Sequence, residues 1–428
     1  MNQSHNLFEV FGVELEYMIV DRTSLDVNPI ADRILEAAAG EITGEVELGE
    51  ISWSNELALH VIELKTSQPA NSLVPLADAF NDSIAHMQPL LRDMQARLLS
   101  TAMHPWMDPD RELKLWPHDY NPIYEAYNRI FDCRGPGWAN LQSVHLNLPF
   151  AGDDQFGRLH AAIRILLPLL PALAASSPVV AGALTGYADN RMRFYRHNSQ
   201  RVPSLTGQVV PEAVFSRADY EQHIFQVMYR DIAPFDTDKI LCHEWLNSRG
   251  AIARFDRNAI EIRVLDVQET PAADIAICEA IVAILKLLVS QRWTSFAEQQ
   301  QVATEPLAQL LNATIRQAEQ ADVESPFILR QFGLEHSPQT AQSLWQILID
   351  QVADQISNIE PLRTILEHGP LARRIERALL APPRTDSNAT AQIVSPLAEN
   401  ATETTGDQLQ SIAHERLLEV YQQYCLTD

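Results

Sequence analysis

The stretch Phe11–Val20, with the sequence FGVELEYMIV, decides the fold class. Apolar residues recur at every second position, and two carboxylates, Glu14 and Glu16, occupy alternate positions. A period of two predicts a β-strand whose side chains leave on opposite faces. The two glutamates would lie about 7 Å apart on one face, given about 3.3 Å of rise per residue. Because like charges so placed repel each other, we expect either a solvated face or a divalent cation beside them.

Three further segments repeat this alternation, each with a polar pair on one face and apolar residues on the other. The pairs are Glu63 with Lys65, His145 with Asn147, and Glu261 with Arg263. If the four strands form one sheet whose apolar face lies under helices, their polar faces make one shared floor. Glu56 precedes Glu63 by an odd number of residues, so it could join this floor only from a loop or through a bulge.

The chemistry of these side chains indicates metal-assisted phosphate chemistry. Several carboxylates with a single imidazole suit Mg²⁺ or Mn²⁺ better than zinc, and so many acids imply more than one cation. The segment 191–201 adds a cluster of arginines, whose guanidinium groups bind carboxylate or phosphate in a bidentate manner. Surface ion pairs are the alternative for these arginines. Metals beside arginines are typical of phosphoryl transfer, where both neutralise phosphate oxygens.

Composition excludes some partners. Lys and Arg number 32 against 56 Asp and Glu, a net charge of −24, so no basic footprint is present for nucleic acid or an anionic membrane. The four cysteines are scattered without a paired motif, as in reduced cytoplasmic proteins. The start of the sequence lacks the features of a signal peptide, and no apolar run is long enough to span a membrane. We therefore expect a cytoplasmic protein, and we leave homo-oligomerisation open.

Changes in sequence pattern predict four parts. Residues 1–290 would form the catalytic sheet domain, and residues 291–380 a helical region packed on it. Residues 381–407, rich in Ser, Thr, Asn, Ala and Pro, are typical of a flexible linker. Residues 408–428 would close the chain as an amphipathic helix. The segment 73–99 has helical periodicity, with a possible break at Pro89.

The order of the motifs resembles one family. FGVELE, ELALHVIELKT, MHP, SVHLN, ASSP with NRMRF, and AIEIRVLD follow one another as in the glutamate–cysteine ligase type 2 family. These carboxylate–amine ligases are related in fold to glutamine synthetase, and the likeness spans roughly residues 8–290. The resemblance implies an α+β fold: a curved, mainly antiparallel sheet with helices on its outer face, followed by a helical C-terminal region.

The resemblance also implies roles for individual residues. It implies two or three Mg²⁺ or Mn²⁺ ions: one would be held near the acceptor carboxylate by Glu16, Glu56 and Glu63, and another on the phosphates of ATP by Glu14, His145 and Glu261. It places Arg254 and Arg263 on the transferred phosphoryl group, and one or more of Arg191, Arg193 and Arg196 on the substrate. From strand parity we add Lys65 and Asn147 as substrate contacts.

The implied reaction joins a carboxylate to an amine. The γ-phosphate of ATP would pass to the side-chain carboxylate of glutamate, giving an acyl phosphate, and an amine would then displace phosphate. Cysteine is the amine of the best-known members, whose product, γ-glutamylcysteine, enters glutathione biosynthesis. Three alternatives stay open: a guanidino kinase-like phosphotransferase, a metal-dependent hydrolase and a non-catalytic metal-binding relative.

Aromatic residues between positions 104 and 140 suggest a pocket larger than cysteine needs. They are Trp106, Trp116, Tyr120, Tyr124 and Trp138. Aromatic and polar side chains on connecting segments suit a binding site, so we expect this segment to select the amine.

Overall fold

A nine-stranded antiparallel sheet organises the protein. The structure is a computed structural model, and it describes residues 5–334, 339–382 and 409–426. Within these residues the strands, numbered β1 to β14 in chain order, are Gly12–Asp21, Glu45–Leu48, Ile51–Asn55, Val61–Thr66, Ala96–Leu99, Ser143–Pro149, Val179–Val180, Ala183–Leu184, Ala251–Arg254, Ala259–Asp266, Asp322–Val323, Gln339–Thr340, Gln410–Ser411 and Cys425–Leu426. Neighbouring strands in the large sheet follow the order β2-β3-β4-β1-β6-β10-β9, while β5 pairs with β1 and β14.

Helices cover the apolar face of the sheet. Within the same residues, the α-helices, numbered α1 to α18, are Ala31–Ala39, Leu76–Asp93, Pro109–Glu112, Asn121–Phe131, Pro136–Ala139, Gly152–Leu166, Pro171–Ala174, Asn190–Tyr195, Arg217–Tyr220, Gln226–Ile232, Pro271–Val289, Phe296–Gln300, Thr304–Gln317, Pro326–Arg330, Ala341–Val352, Glu360–His368, Leu371–Leu380 and His414–Tyr421. Helices α2, α6 and α11 contribute to the main core together with the sheet. The predicted fold class, a mainly antiparallel sheet with helices on one face, is confirmed.

Helix α11 shows how the local sequence prepares this packing. The side chain of Thr270 accepts a hydrogen bond from the backbone of Ala273, and Pro271 occupies the first turn. Both features favour a helix start at this point. Almost every residue of α11 is buried, which fits a helix that is apolar on all sides.

The two faces of strand β1 lie in different environments. Val13, Leu15 and Tyr17 point into the main core and are fully buried. On the opposite face, Met18 and Val20 belong to a separate small core that includes residues of α18. The part of that face which carries Glu14 and Glu16 lies beside a cavity, so the same face of β1 contributes to both the small core and the cavity.

Two segments differ from the sequence-based expectation. The segment 73–99 is not one helix: α2 runs through Pro89 and ends at Asp93, and Ala96–Leu99 then forms β5. Gln95, between them, has a positive φ of 54°, which interrupts helical geometry. The alternation of apolar residues that leads to Glu63 and Lys65 starts at Leu57, but the strand begins later, at Val61, and Ile51–Asn55 forms an additional strand beside it.

The predicted domain boundaries stay predictions. Residues 291–380 are mainly helical, apart from short β11 and β12, and they share the main core with the sheet. The predicted linker lies almost entirely outside the described residues, and α18 falls within the predicted C-terminal helix. All four cysteines are free. Over the described ranges, no helix combines the length and apolar character that a membrane span needs.

Candidate active site

Strand pairing builds the polar floor that the sequence predicts. On one side of β1, Glu14 lies opposite Lys65 and Glu16 opposite Glu63 in β4. On the other side, Glu14 lies opposite His145 in β6. Because side chains directly opposite each other in a sheet leave on the same face, these five groups converge on one surface.

A cavity of about 690 Å³ lies over this floor. The predicted site residues that line it are Glu14, Glu16, Glu56, Glu63, Lys65, His145, Asn147, Arg191, Arg254, Glu261 and Arg263. Gly12 faces Asn147 across the pairing of β1 with β6, and a β-carbon at Gly12 would lie 3.1 Å from that of Asn147. The glycine therefore leaves room for Asn147, whose Nδ2 donates to Glu14 Oε1 at 3.0 Å.

His145 connects the two glutamates of β1. Its Nδ1 donates to Glu14 Oε2 at 2.8 Å, and its Nε2 lies 3.0 Å from the Oγ of Ser143. Ser143 in turn donates to Glu16 Oε2 from its backbone N at 2.7 Å and from its Oγ at 2.8 Å. The hydrogen bond and charge of Glu14 outweigh burial and raise the pKa of His145 to about 9. Despite its burial, Glu14 has a pKa lowered to about 2 by the same contact.

Glu56 reaches the floor from a loop, one of the two routes that its odd spacing allowed. It follows the end of β3 at Asn55 and lies in the connection to β4. One carboxylate oxygen from each of Glu16, Glu56 and Glu63 lies within 4.8 Å of the others. Glu63 also accepts a hydrogen bond from Ser54 Oγ at 2.6 Å.

The crowding of these acids is visible in their pKa values. Burial, and then the charges of Glu63 and Glu16, raise the pKa of Glu56 well above its ordinary range. Burial, and then the charge of Glu14, raise the pKa of Glu63 to about 7. Clustered carboxylates repel one another when they are taken out of water, so positive charge is needed to hold all of them ionised.

The carboxylate of Glu261 is held by arginines. Arg263 Nε donates to Glu261 Oε1 at 3.0 Å, and Arg254 Nη1 lies 3.7 Å from its Oε2. His145 Nδ1 is 3.9 Å from Glu261 Oε1. A second group of donors within 4.8 Å consists of Glu14, Glu63 and His145. In this geometry Glu63 takes the third place that the family resemblance gives to Glu261.

The arginines that the sequence groups together lie in different surroundings. Arg191 and Arg193 belong to α8, and Arg196 directly follows it. Arg191 is buried, with 1% of its surface exposed, and it lines the cavity. The guanidinium of Arg193 packs over the ring of Tyr187 at 4.4 Å. Arg196 Nη1 donates to Asn312 Oδ1 at 2.6 Å. Of the three arginines, the structure therefore brings Arg191 to the cavity and leaves Arg193 and Arg196 outside its lining.

The aromatic wall of the cavity differs from the predicted set. Trp116 is fully buried in the main core, Tyr120 is exposed, and Trp106 packs edge-on against His104 and His414. Tyr124 and Trp138 do line the cavity, together with Tyr127, Tyr195 and Trp245. We call these five residues the aromatic wall.

Tyr124 connects the aromatic wall to Glu56. Asn55 Nδ2 donates both to the backbone oxygen of Glu56 at 3.2 Å and to the Tyr124 hydroxyl at 3.1 Å. Within the wall, the Tyr127 ring lies 5.3 Å from Trp138 and 6.1 Å from Trp245. Three rings of the wall, those of Tyr127, Trp138 and Trp245, therefore form one packed group.

Comparison with known sequences identifies the family. The sequence model described as glutamate-cysteine ligase family 2 matches residues 10–410. The chain belongs to this family. Family membership supports the activity of an ATP-dependent carboxylate–amine ligase.

Individual family relatives cover different shares of the chain. An uncharacterized protein of Archaeoglobus fulgidus is 35% identical over 307 residues, which is 72% of this chain and 80% of its own. A protein of Corynebacterium efficiens, provisionally named glutamate–cysteine ligase 2-1, is 28% identical over 190 residues. That match spans 43% of this chain and 46% of the relative, so it covers less than half of either protein.

Solved structures show the same fold at low identity. One match is glutamate–cysteine ligase from Francisella tularensis in complex with AMP. The match covers 88% of this chain and 86% of that protein's chain, with a TM-score of 0.51 and 14% identity. A second match, to a bifunctional glutathione synthetase from Pasteurella multocida, covers 97% of this chain and 52% of that protein's chain, with a TM-score of 0.55 and 13% identity. Both are similar to this family member in fold.

Some residues of this family member's site were not found from its sequence. Ser143 shares the parity of His145 and Asn147, so strand alternation could have found it. Asp266 accepts a hydrogen bond from Arg191 Nε. It has the opposite parity to Glu261, so strand alternation does not point to it. Tyr127, Tyr195 and Trp245 come from three separate segments, and tertiary packing alone brings them together.

The donor sets in this family member fit a hard divalent cation. Each of the two groups offers carboxylate oxygens, and one includes a single imidazole nitrogen. Oxygen-dominated sets suit Mg²⁺ and Mn²⁺, and a divalent charge would offset the repulsion among the acids. Bound there, such an ion would compete with the proton that His145 shares with Glu14.

Proposed function

We propose that this protein is an ATP-dependent ligase that joins the side-chain carboxylate of glutamate to an amine through an acyl phosphate. The observation that carries the proposal is the pair of three-donor groups sharing Glu63, beside Arg254 and Arg263 in one cavity. A reaction that moves a phosphoryl group onto a carboxylate must stabilise many negative oxygens at once. The cavity combines acidic cation ligands and arginines for that task.

The reaction proceeds in two balanced steps. A carboxylate oxygen attacks the γ-phosphorus of ATP, and the bond from this phosphorus to the bridging oxygen breaks, releasing ADP. The amine nitrogen then attacks the acyl carbon, and phosphate leaves with the electron pair of the broken C–O bond. The amine loses one proton, so the products are an amide, ADP and phosphate.

Cation ligation is assigned to both donor groups. Glu16, Glu56 and Glu63 would hold Mg²⁺ or Mn²⁺ near the acceptor, while Glu14 and His145, with Glu63 or Glu261, would hold a second ion near the nucleotide. Divalent ions supply charge neutralisation and alignment of the phosphate oxygens when bound.

Other side chains position the reactants. Arg263 and Arg254 approach Glu261, which keeps their guanidinium groups over the floor, where they stabilise the equatorial oxygens of the transferred group. Lys65 Nζ bridges Glu45 Oε2 at 3.1 Å and Glu63 Oε2 at 3.4 Å, and from there it contacts the substrate. Arg191 binds the substrate carboxylate, and Asn147 supports Glu14 beside the nucleotide.

The amine enters along the aromatic wall. Tyr124 of the wall is linked through Asn55 to Glu56, which belongs to the acceptor group of ligands. Cysteine is the amine that the family name supplies, and it is the reference compound for any test. The wall offers apolar area beyond what a thiol covers, so larger amines are the necessary comparison.

Amine-dependent formation of ADP tests the function. The purified protein would be incubated with ATP, Mg²⁺, glutamate and a panel of amines, with ADP and the amide measured separately. We expect ADP and amide in equal amounts, and both should require glutamate and an amine. Phosphorylation of a guanidino compound without amide, hydrolysis without ATP, or cation binding without any turnover would each replace this proposal by one of the alternatives.

A further inference from the structure

A β-bulge in β10 changes the face of the sheet on which Asp266 lies. Before the bulge, Glu261 pairs with Asn147 of β6, and after it Asp266 pairs with Ser143. The register shifts between Ile262 and Leu265. In a regular strand Asp266 would lie on the face opposite Glu261; the extra residue returns it to the same face.

Both carboxylate oxygens of Asp266 accept hydrogen bonds in this position. Its Oδ1 accepts from Arg191 Nε at 2.5 Å. Its Oδ2 accepts from the backbone N of Ser176 at 2.8 Å and from Ser177 Oγ at 2.9 Å. Asp266 and Arg191 each expose 1% of their surface, so the contact is shielded from solvent and its geometry is fixed on both sides.

Arg191 keeps part of its guanidinium available. Nη1 donates to the backbone oxygen of Arg263 at 3.3 Å. Nη2 is buried and has no hydrogen-bond partner among the described residues. An unpartnered buried donor is costly and Arg191 lines the cavity, so this nitrogen lacks a partner that an anionic group of a ligand would supply.

We propose that Asp266 is a positioning residue, which fixes the guanidinium of Arg191 so that its free edge receives the substrate carboxylate. The inference rests on the proposed function, in which Arg191 binds that carboxylate. Asp266 itself does not touch the substrate. Its contact on Nε orients the planar guanidinium group, and the backbone contact to Arg263 ties the same group to the strand that carries the phosphoryl-binding arginine.

A purely structural ion pair is the competing explanation. Buried ion pairs contribute little net stability compared with apolar side chains of the same volume, although breaking one is costly. The two explanations differ in what a substitution changes. Loss of a structural pair affects folding and all substrates, whereas loss of positioning affects the carboxylate substrate selectively.

The test compares Asp266→Asn with a matched control, Asp274→Asn. Asp274 is equally buried, at 1% exposed, and like Asp266 it lies outside the cavity lining. Its Oδ1 accepts from the backbone N of Gln268 at 2.8 Å, whereas Asp266 accepts from Arg191. We expect Asp266→Asn to raise KM for glutamate about tenfold, with KM for ATP unchanged and kcat within about twofold, because one charge-assisted contact is lost. Asp274→Asn should leave KM for glutamate unchanged.

A double-mutant cycle with Arg191→Lys isolates the coupling. If Asp266 acts through Arg191, Asp266→Asn should add little to the KM of the Arg191→Lys variant. Additive effects would overturn the proposal, as would equal changes in KM for glutamate and for ATP. Ser177→Ala removes one hydrogen bond to Asp266 and the one that Ser177 Oγ accepts from the backbone N of Arg191. It should raise KM for glutamate by a smaller factor, and an unchanged KM in a folded Ser177→Ala variant also contradicts the proposal.

The same measurements separate this inference from the proposed function. If the wild-type protein forms no glutamate-dependent ADP, the proposed function is wrong. If Arg191→Lys raises KM for glutamate and Asp266→Asn does not, the proposed function stands and the positioning role is rejected.

Discussion

His145 Nδ1 donates to Glu14 Oε2 at 2.8 Å across the pairing of β1 with β6. The contact joins the first glutamate of the opening strand to an imidazole that is distant in sequence. Through Ser143 the same imidazole also connects to Glu16. The two glutamates, two residues apart on one strand, are thus linked through a single side chain of a neighbouring strand.

Replacement of His145 by Asn should weaken cation binding. The substitution removes a nitrogen donor from the group formed with Glu14 and Glu63, and loss of one ligand or its support lowers metal affinity about 10- to 100-fold. Titration with Mn²⁺, followed by electron paramagnetic resonance, would measure this. His368→Asn is the control, since its side chain is 61% exposed and it should bind Mn²⁺ like the wild type.

Replacement of Glu16 by Gln should abolish turnover without unfolding the protein. Glutamine keeps the size of the side chain but loses the charge that a divalent cation needs. We expect Mg²⁺-dependent ADP formation to fall by at least about a hundredfold, with an unchanged circular dichroism spectrum. Glu47→Gln, at an exposed position of β2, is the control, and full activity of Glu16→Gln would disprove the ligand assignment.

The aromatic wall should influence the choice of amine. Trp245→Leu removes ring area from the cavity, so KM for a large amine such as phenethylamine should rise about tenfold while KM for methylamine changes little. Trp106→Leu is the control because Trp106 lies outside the cavity lining. If cysteine supports turnover far better than every larger amine, the larger-pocket hypothesis fails and the ligase proposal stands.

The folded protein should lose stability in mild acid because of His60. Its Nε2 donates to the backbone oxygen of Ala139 at 2.7 Å, and burial lowers its pKa from 6.5 to about 4. Between these two values the unfolded chain binds a proton that the folded protein excludes. The free energy of unfolding should therefore fall as pH decreases from about 6.5 to about 4, by up to about 1.4 kcal/mol per pH unit for this group.

Urea unfolding at several pH values would measure this dependence. Burial also lowers the pKa of His104 to about 4 and that of His160 to about 3. Both should contribute in the same sense, so the variant His60→Gln is needed to separate the contribution of His60. We expect a shallower dependence of stability on pH in His60→Gln. An identical slope in both proteins would contradict the assignment to His60.

Strand alternation predicted most of the floor. A period of two is a local property of an extended chain, so it placed Glu14 with Glu16, Glu63 with Lys65, and Glu261 with Arg263 before any tertiary contact was known. It failed where the pattern was broken. The bulge in β10 reverses the parity of Asp266, and β5 reads as the end of a helix because its short apolar run fits either structure.

Local sequence patterns were enough to show which faces of the strands are polar, that the acids and the imidazole form a hard donor set, and that the chain resembles this ligase family. The tertiary structure alone decided that Glu56 enters from a loop, that Arg191 reaches the cavity while Arg193 and Arg196 do not, and which aromatic rings form the wall. The reason is physical. The direction of a side chain along a strand follows from local backbone geometry, whereas the meeting of residues such as Arg191 and Asp266 depends on how distant segments pack.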